Sequence, residues 1–198
     1  MPENRTKVRF AVSCSSNMNR SMEAHNFMKR AGFLVESFGC GSQVKLPGTT
    51  IEKPNCYEFG PTTYDYIYND LKTKDRRFYT RNGLLNILDR NRKIKDKPER
   101  FQNQNQEFDV VLCLEERVYV TIVEFLQKRK SLTGERVHVI NIDIRDNLEE
   151  ATLGASVVCE MCEAMESASN LDDEMEELLV RFEKKNPTRN LIYTLCFY

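Results

Sequence analysis

Hydrophobic and polar positions along the chain fall into short blocks of two kinds. Residues 8–13 alternate and then run apolar, with β-branched Val8 and Val12, and read as a short buried strand. In residues 21–28, Met22, Ala24, Phe27 and Met28 share one helical face, and Gly32 supplies a stop. Residues 33–38 form a second strand, followed by the break Gly39-Cys40-Gly41-Ser42. Residues 44–61 keep no period; an irregular stretch of about twenty residues is more often functional or insertional than incidental. A helix over 62–71 carries Tyr64, Tyr66 and Tyr68, and an apolar-periodic helix runs from about Thr80 through 83–88. The near-continuous apolar run at 108–114 marks a central parallel strand. The pattern then predicts a helix at 115–130, a strand at 137–143, helices at 149–168 and 172–185, and a final strand at 191–197. No internal repeat is present.

This alternation predicts one α/β domain over residues 1–198. Its sheet is open, mainly parallel and about five-stranded, with helices on both faces and an irregular insertion at about 40–62. Ligands of such sheets sit beyond the carboxyl ends of the strands. The segments after residues 13 and 142 therefore share one rim. With 198 residues the core is large enough to need no staples. A net charge of −1 gives no default attraction to nucleic acid or membrane. There is no apolar run of membrane-spanning length, and the polar start Met1-Pro2-Glu3-Asn4-Arg5 does not resemble a secretory signal. The seven cysteines are odd in number, and without such a signal they read as reduced thiols of a cytosolic or nuclear protein.

The chemistry sits between the first strand and the first helix, in Cys14-x5-Arg20-Ser21. The loop Ser15, Ser16, Asn17, Met18, Asn19 opens onto a helix N-terminus, whose amides lack helical partners and whose dipole favours anions. Cys14 is the candidate nucleophile. Helix N-termini and nearby cations favour thiolates; here the sources are loop amides and Arg20, because Ser13 and not a histidine precedes the cysteine. Arg20 suits a phosphate as a planar two-pronged donor, a role lysine fills poorly. Ser21 would hydrogen-bond the sulfur, favouring thiolate and easing its departure from a phosphocysteine. Asn17 tolerates a left-handed backbone, and Ser15, Ser16 and Asn19 are small enough to let the amides face inward. The competing reading is an ordinary buried cysteine at a strand end with Arg20 and Ser21 solvated. An alkoxide leaving group also needs a proton, hence an Asp or Glu near the scissile oxygen. Asp143-Ile144-Arg145-Asp146-Asn147 follows a strand, and Asp146, further out, is preferred over Asp143. Asp146 with Glu149 also reads as a helix-capping box, and the two roles are compatible.

The loop resembles that of low-molecular-weight tyrosine phosphatases, which share Cys-x5-Arg-Ser on this sheet architecture. The chain is more similar to the RNA polymerase II C-terminal-domain phosphatases of the mRNA 3′-end processing machinery. Residues 14–26 (Cys-Ser-Ser-Asn-Met-Asn-Arg-Ser-Met-Glu-Ala-His-Asn) carry this resemblance, as do 44–48 (Val-Lys-Leu-Pro-Gly), 88–91 (Leu-Asp-Arg-Asn), 98–102 (Pro-Glu-Arg-Phe-Gln), 115–119 (Glu-Glu-Arg-Val-Tyr), 137–139 (Val-His-Val) and 196–198 (Cys-Phe-Tyr). It implies a nuclear, cofactor- and metal-independent cysteine phosphatase acting on phosphoserine-proline in the polymerase tail repeats, chiefly the fifth-position serine, with the proline bond in cis. It also implies a symplekin-like scaffold as partner, with no direct nucleic acid and no membrane. By position it implies Cys14 as nucleophile, residues 15–20 as phosphate loop, Asp146 as acid, and Lys45, Leu46 and Pro47 as a wall of the peptide groove. The tyrosine phosphatases have a second cysteine before the loop arginine and an Asp-Pro acid motif. Asn19 and Asp146-Asn147 stand here instead, which removes a protective loop disulfide and argues against a deep phosphotyrosine slot. Two other activities fit the same loop: an arsenate reductase, which needs a relay of two further cysteines, and a phosphopeptide-binding scaffold with weak turnover.

Remaining features read as structural. Cys159-x-x-Cys162 sits in an apolar helical run with no second ligand pair, so helix packing is favoured over zinc or redox chemistry. Cys40 would resolve an oxidised Cys14 only if the fold brings it close. His25 is expected solvated or capping, and His138 is expected to be a satisfied core histidine. The basic run at 90–100 reads as a solvated helix end and loop, or else as a dock for neighbouring phosphates or a partner. The acidic stretch at 172–183 is the wet side of a helix that turns Met175, Leu178, Leu179 and Phe182 inward.

Overall fold

The computed structural model describes residues 7–198; the polar start at Met1 to Arg5 lies outside them. Strand β1 (Arg9–Cys14) leads through the loop at 15–19 into α1 (Arg20–Ala31), which ends at Gly32 with φ 90°. Positive φ carries no Cβ penalty at glycine, so the chain turns there into β2 (Leu34–Gly39). Two short strands follow, β3 (Val44–Leu46) and β4 (Asn55–Tyr57), then α2 (Tyr64–Arg81) and α3 (Leu84–Ile94). A 3-10 turn at Phe101–Asn103 precedes β5 (Val110–Cys113), α4 (Glu116–Lys128), β6 (Arg136–Ile142), α5 (Leu148–Ser167), α6 (Leu171–Lys185) and β7 (Leu191–Phe197).

The main sheet has the order β2-β1-β5-β6-β7. The first four strands are parallel and β7 runs antiparallel to β6, with Arg136 opposite Phe197. On one face Phe10, Val12, Leu112 and Ile140 pack under α1, α5 and α6. On the other, Ala11, Val111 and Val139 pack under α4 and the rings of Phe38, Phe101 and Phe108. The buried positions of the central strands thus alternate between two cores, the side-chain period of a strand.

The insertion differs from its expected form. Residues read as irregular contain the antiparallel pair β3–β4, with Val44 opposite Tyr57. Three-residue strands are too short to show a period. The helix expected at 62–71 runs on to Arg81, interrupted by non-helical backbone at Asp75. The helix expected from Thr80 onward instead begins at Leu84, because Gly83 adopts φ 84° and breaks the run. Val44, Leu46, Tyr64, Ile67, Leu71, Leu85 and Leu88 close a third core against Met18 and Met22. The insertion is therefore anchored on the loop between β1 and α1 and on the first turn of α1. No helix among the described residues is long and apolar enough to cross a membrane.

Candidate active site

Cys14 ends β1 at the rim, opposite Gly39 in the register. Its Sγ lies 3.1 Å from Ser21 Oγ, and Ser21 Oγ in turn accepts from Asn17 Nδ2 at 3.0 Å. Asn17 has φ 53°, the left-handed region that asparagine tolerates. Its Oδ1 accepts from the Glu99 amide at 3.1 Å, so the turn is locked by its own side chain. Asn19, which caps α1, makes no side-chain capping bond. The first-turn amides are thus not satisfied by a cap, the condition for an anion site. Gly39 and Gly41 allow the chain after β2 to press on the loop; a Cβ on Gly39 would stand 2.8 Å from Ser15 O.

Arg20 is only 6% exposed. Its Nη1 donates to Ile144 O at 2.9 Å and Leu114 O at 3.3 Å, and its Nη2 to Glu115 Oε2 at 2.6 Å. Burial works against its charge, but Cys14, Asp146 and Glu115 together outweigh that and raise it above the ordinary value. Burial likewise pushes the Glu115 carboxyl up, while Arg20 and then Arg117 bring it below the usual range. Arg20 Nε is buried with no hydrogen-bond partner. Its neighbouring charge is Asp146 Oδ1 at 3.5 Å, and that oxygen also accepts from Asn19 Nδ2 at 3.0 Å. The Asp146 side chain is 61% exposed.

The cap of α5 is Asn147, whose Oδ1 accepts from the Glu150 amide at 2.8 Å. The capping-box reading of Asp146 with Glu149 is therefore displaced by one residue, and Asp146 is left facing the loop. Asp143 is occupied elsewhere: its Oδ1 accepts from the Glu116 amide and from Asn141 Nδ2, both at 3.0 Å.

A cleft of about 740 Å³ opens over Cys14, walled by Lys45, Leu46, Pro47, Phe78 and Leu148. The hairpin is tied to the loop where the Lys45 amide donates to Ser16 Oγ at 3.1 Å and that hydroxyl donates to Lys45 O at 3.3 Å. A larger cavity, about 1050 Å³, lies against Arg20 and holds Arg117, Arg145 and Arg189, but it lacks the sulfur.

Several other expectations shift. His25 is buried with Nδ1 2.8 Å from Ser37 Oγ, not solvated, because that face of α1 lies on β2. His138 is buried between the Tyr193 hydroxyl at 2.9 Å and Asp172 at 2.8 Å, a satisfied core histidine. All seven cysteines are free. The Cys40 amide donates to Cys14 O at 3.0 Å, but its thiol is buried, and burial followed by the Cys14 charge pushes it up to about 11. Among the described residues no group of three or more His, Cys, Asp and Glu gathers to hold a metal. The basic run is only partly solvated. Lys95 Nζ donates to Ser37 O and to Glu99, and Arg100 Nε donates to Gly41 O. Glu115 and Tyr64, whose hydroxyl donates to Asn17 O at 2.6 Å, are site residues that no local pattern marked.

Residues 8–198 match the family model described as Ssu72-like protein. The Caenorhabditis elegans RNA polymerase II C-terminal domain phosphatase ssup-72 is 57% identical over 193 residues, covering 98% of both chains. The human C-terminal domain phosphatase SSU72 is 53% identical over 191 residues, 96% of this chain and 97% of the other. The crystal structure of Drosophila melanogaster Ssu72 with Symplekin, bound to a cis peptidomimetic phosphoserine peptide of the CTD, superposes with a TM-score of 0.93 at 47% identity, covering 98% of this chain and 100% of that one. With the family model spanning nearly the whole chain and relatives above half identity at full coverage, the chain belongs to the Ssu72-like family.

Proposed function

We propose that this chain is a single-domain protein-serine phosphatase that removes phosphate from phosphoserine-proline in the RNA polymerase II C-terminal tail, chiefly at the fifth-position serine, through a phosphocysteine on Cys14. The observation that carries the reading is the convergence of one local segment with a distant carboxylate: the Cys14 sulfur, Ser21 Oγ at 3.1 Å from it and the buried Arg20 are met by Asp146, 3.5 Å from Arg20 Nε. Substrate and setting are supported by relatives named as C-terminal-domain phosphatases and by the fly relative's complex. From these we also infer a symplekin-like partner and a nuclear site of action.

In the first step the Cys14 thiolate attacks phosphorus. The bond to the serine oxygen breaks, and Asp146 donates the proton that lets serine leave as an alcohol. The loop amides and Arg20, whose Nε is unspent, hold the equatorial oxygens where charge is greatest. In the second step Asp146, now a carboxylate, takes a proton from water attacking the phosphocysteine, and the thiolate departs with the hydrogen bond of Ser21. The hairpin residues Lys45, Leu46 and Pro47 wall the cleft that receives the peptide. Arsenate reduction is disfavoured because the relay it needs would fall to Cys40 and Cys113, both buried, with thiols pushed up by burial.

The test is phosphate release from a phosphoserine-proline heptad peptide in chelator. Cys14→Ser is expected to lower turnover by at least about a thousandfold, on the scale of lost catalytic nucleophiles; undiminished turnover overturns the mechanism. In the same assay Asp146→Asn loses most on the serine peptide and least on p-nitrophenyl phosphate, whose leaving group needs no proton.

A further inference from the structure

Peptide geometry places each carbonyl opposite the amide of the following residue. A phosphate loop can therefore turn its amides inward only if its carbonyls face outward, and each outward carbonyl buried in protein needs a donor. The first half of this loop is held by backbone: Cys14 O accepts from the Cys40 amide and Ser15 O from the Gly41 amide, both at 3.0 Å. The second half is held by side chains of α2 and α3. Asn17 O accepts from Tyr64. Met18 O accepts from Asn91 Nδ2 at 2.8 Å and from Arg90 Nη2 at 2.9 Å. Arg90 Nη2 also reaches Asn19 O at 3.3 Å.

Arg90 is itself fixed from behind. Its Nε and Nη2 donate to Asn91 Oδ1 at 3.0 and 2.9 Å, and its Nη1 pairs with Glu23 on α1. Glu23 also accepts from Thr152 Oγ1 at 3.1 Å, which ties the network to α5. The Arg90 and Glu23 side chains are only 20% and 13% exposed, so either alone would be a poorly solvated charge.

We propose that Arg90 is a positioning residue for the phosphate loop. Its Nη2 holds the Met18 carbonyl outward and so sets the Asn19 amide toward the bound phosphate, with Asn91 and Tyr64 completing the hold; the Asn19 carbonyl, which also accepts from the Glu23 amide at 2.9 Å, is shared with the first turn of α1. It touches no substrate and acts through the peptide planes. Both carbonyls are reached by the one Nη2, while Nη1 and Nε hold Glu23 and Asn91; a lysine's single nitrogen does not reach the carbonyls and both of these partners at once. This rests on the phosphocysteine reading of the same site and extends it to residues 47 to 73 positions away.

Orthovanadate inhibition, the pH profile of Cys14 alkylation by iodoacetate, and thermal unfolding, measured on the full chain, test the proposal. Arg90→Met is expected to unfold cooperatively yet bind orthovanadate at least tenfold more weakly and to need higher pH for alkylation. Arg90→Lys should recover only part of that loss. Tyr64→Phe keeps the buried ring, removes one donor, and should weaken orthovanadate several-fold; it decides the matter alone if Arg90→Met does not fold. Folded variants that match the parent in both readouts overturn the proposal, and so does full recovery in Arg90→Lys. A parent that neither binds orthovanadate nor is protected by phosphate overturns the phosphocysteine reading instead, and this proposal with it.

Discussion

His25 is sealed between α1 and β2, 4% exposed, with Nδ1 on Ser37 Oγ. Burial, followed by the charges of Lys95 and Lys29, brings its pKa down from 6.5 to about 4. Between those values the unfolded chain binds more protons than the folded one, so stability falls as pH drops through that window. Two pH units within it correspond to about 2–3 kcal/mol. Urea unfolding at pH 6.5 and 4.5 should show a loss of that order in the parent. His25→Gln, which keeps a donor for Ser37, should show a clearly shallower loss; equal losses would place the acid sensitivity elsewhere. Arg20 shows the opposite balance, since Cys14, Asp146 and Glu115 around it outweigh its burial and raise it above the ordinary value.

At the scale of elements, the informative feature is the break in α2. Asp75 has φ −161° and ψ 88°, and its Oδ1 accepts from the Phe78 amide at 2.9 Å. It thus acts as an N-cap inside the helix, starting a new turn over 76–81 on a changed axis. That turn carries Phe78 to the wall of the cleft and buries Tyr79, whose hydroxyl accepts from Asn55 Nδ2 at 2.9 Å. Asp75→Ala should cost about 1 kcal/mol, the usual value of a lost cap, read as a shift in denaturant midpoint. It should also raise KM for the heptad peptide with little change in kcat, because Phe78 lines the cleft without touching the sulfur. Asp75→Ser should behave like the parent in both measurements.

Across the whole molecule, three cores meet at the site: α1 with α5 and α6, α4 with the aromatic face, and the insertion. Helix packing far from the sulfur therefore sets distances within the loop. Gly154 on α5 is the clearest point of transmission, since a Cβ there would collide with Ile144 Cγ1, Cγ2 and Cδ1. Ile144 is buried and its carbonyl is an acceptor for Arg20. Gly154→Ala gains up to about 1 kcal/mol of helix propensity, but overpacking a filled core costs about 1–3 kcal/mol. We expect net destabilisation and weaker orthovanadate inhibition, because Ile144 moves with its carbonyl. Increased stability with unchanged inhibition would show that the core has room there.

The local pattern by itself determined the alternation of strands and helices, the Cys14-x5-Arg20-Ser21 segment between β1 and α1, and the carboxylate segment after β6, because strand and helix periods and loop spacing are short-range properties. It also marked Asn17 as the left-handed residue, since few side chains tolerate that conformation. Only the tertiary structure decided the rest. That Asp146 faces the loop depends on one residue of offset in the N-cap of α5, and that Asp143 is spent on the Glu116 amide depends on α4 lying beside the end of β6. That His25 is buried, that Glu115 holds Arg20, and that Tyr64, Arg90 and Asn91 support the loop carbonyls depends on contacts between residues about ten to a hundred positions apart. No local period encodes such contacts. A buried charge or carbonyl must find a partner, and which partner it finds is settled by how the layers pack.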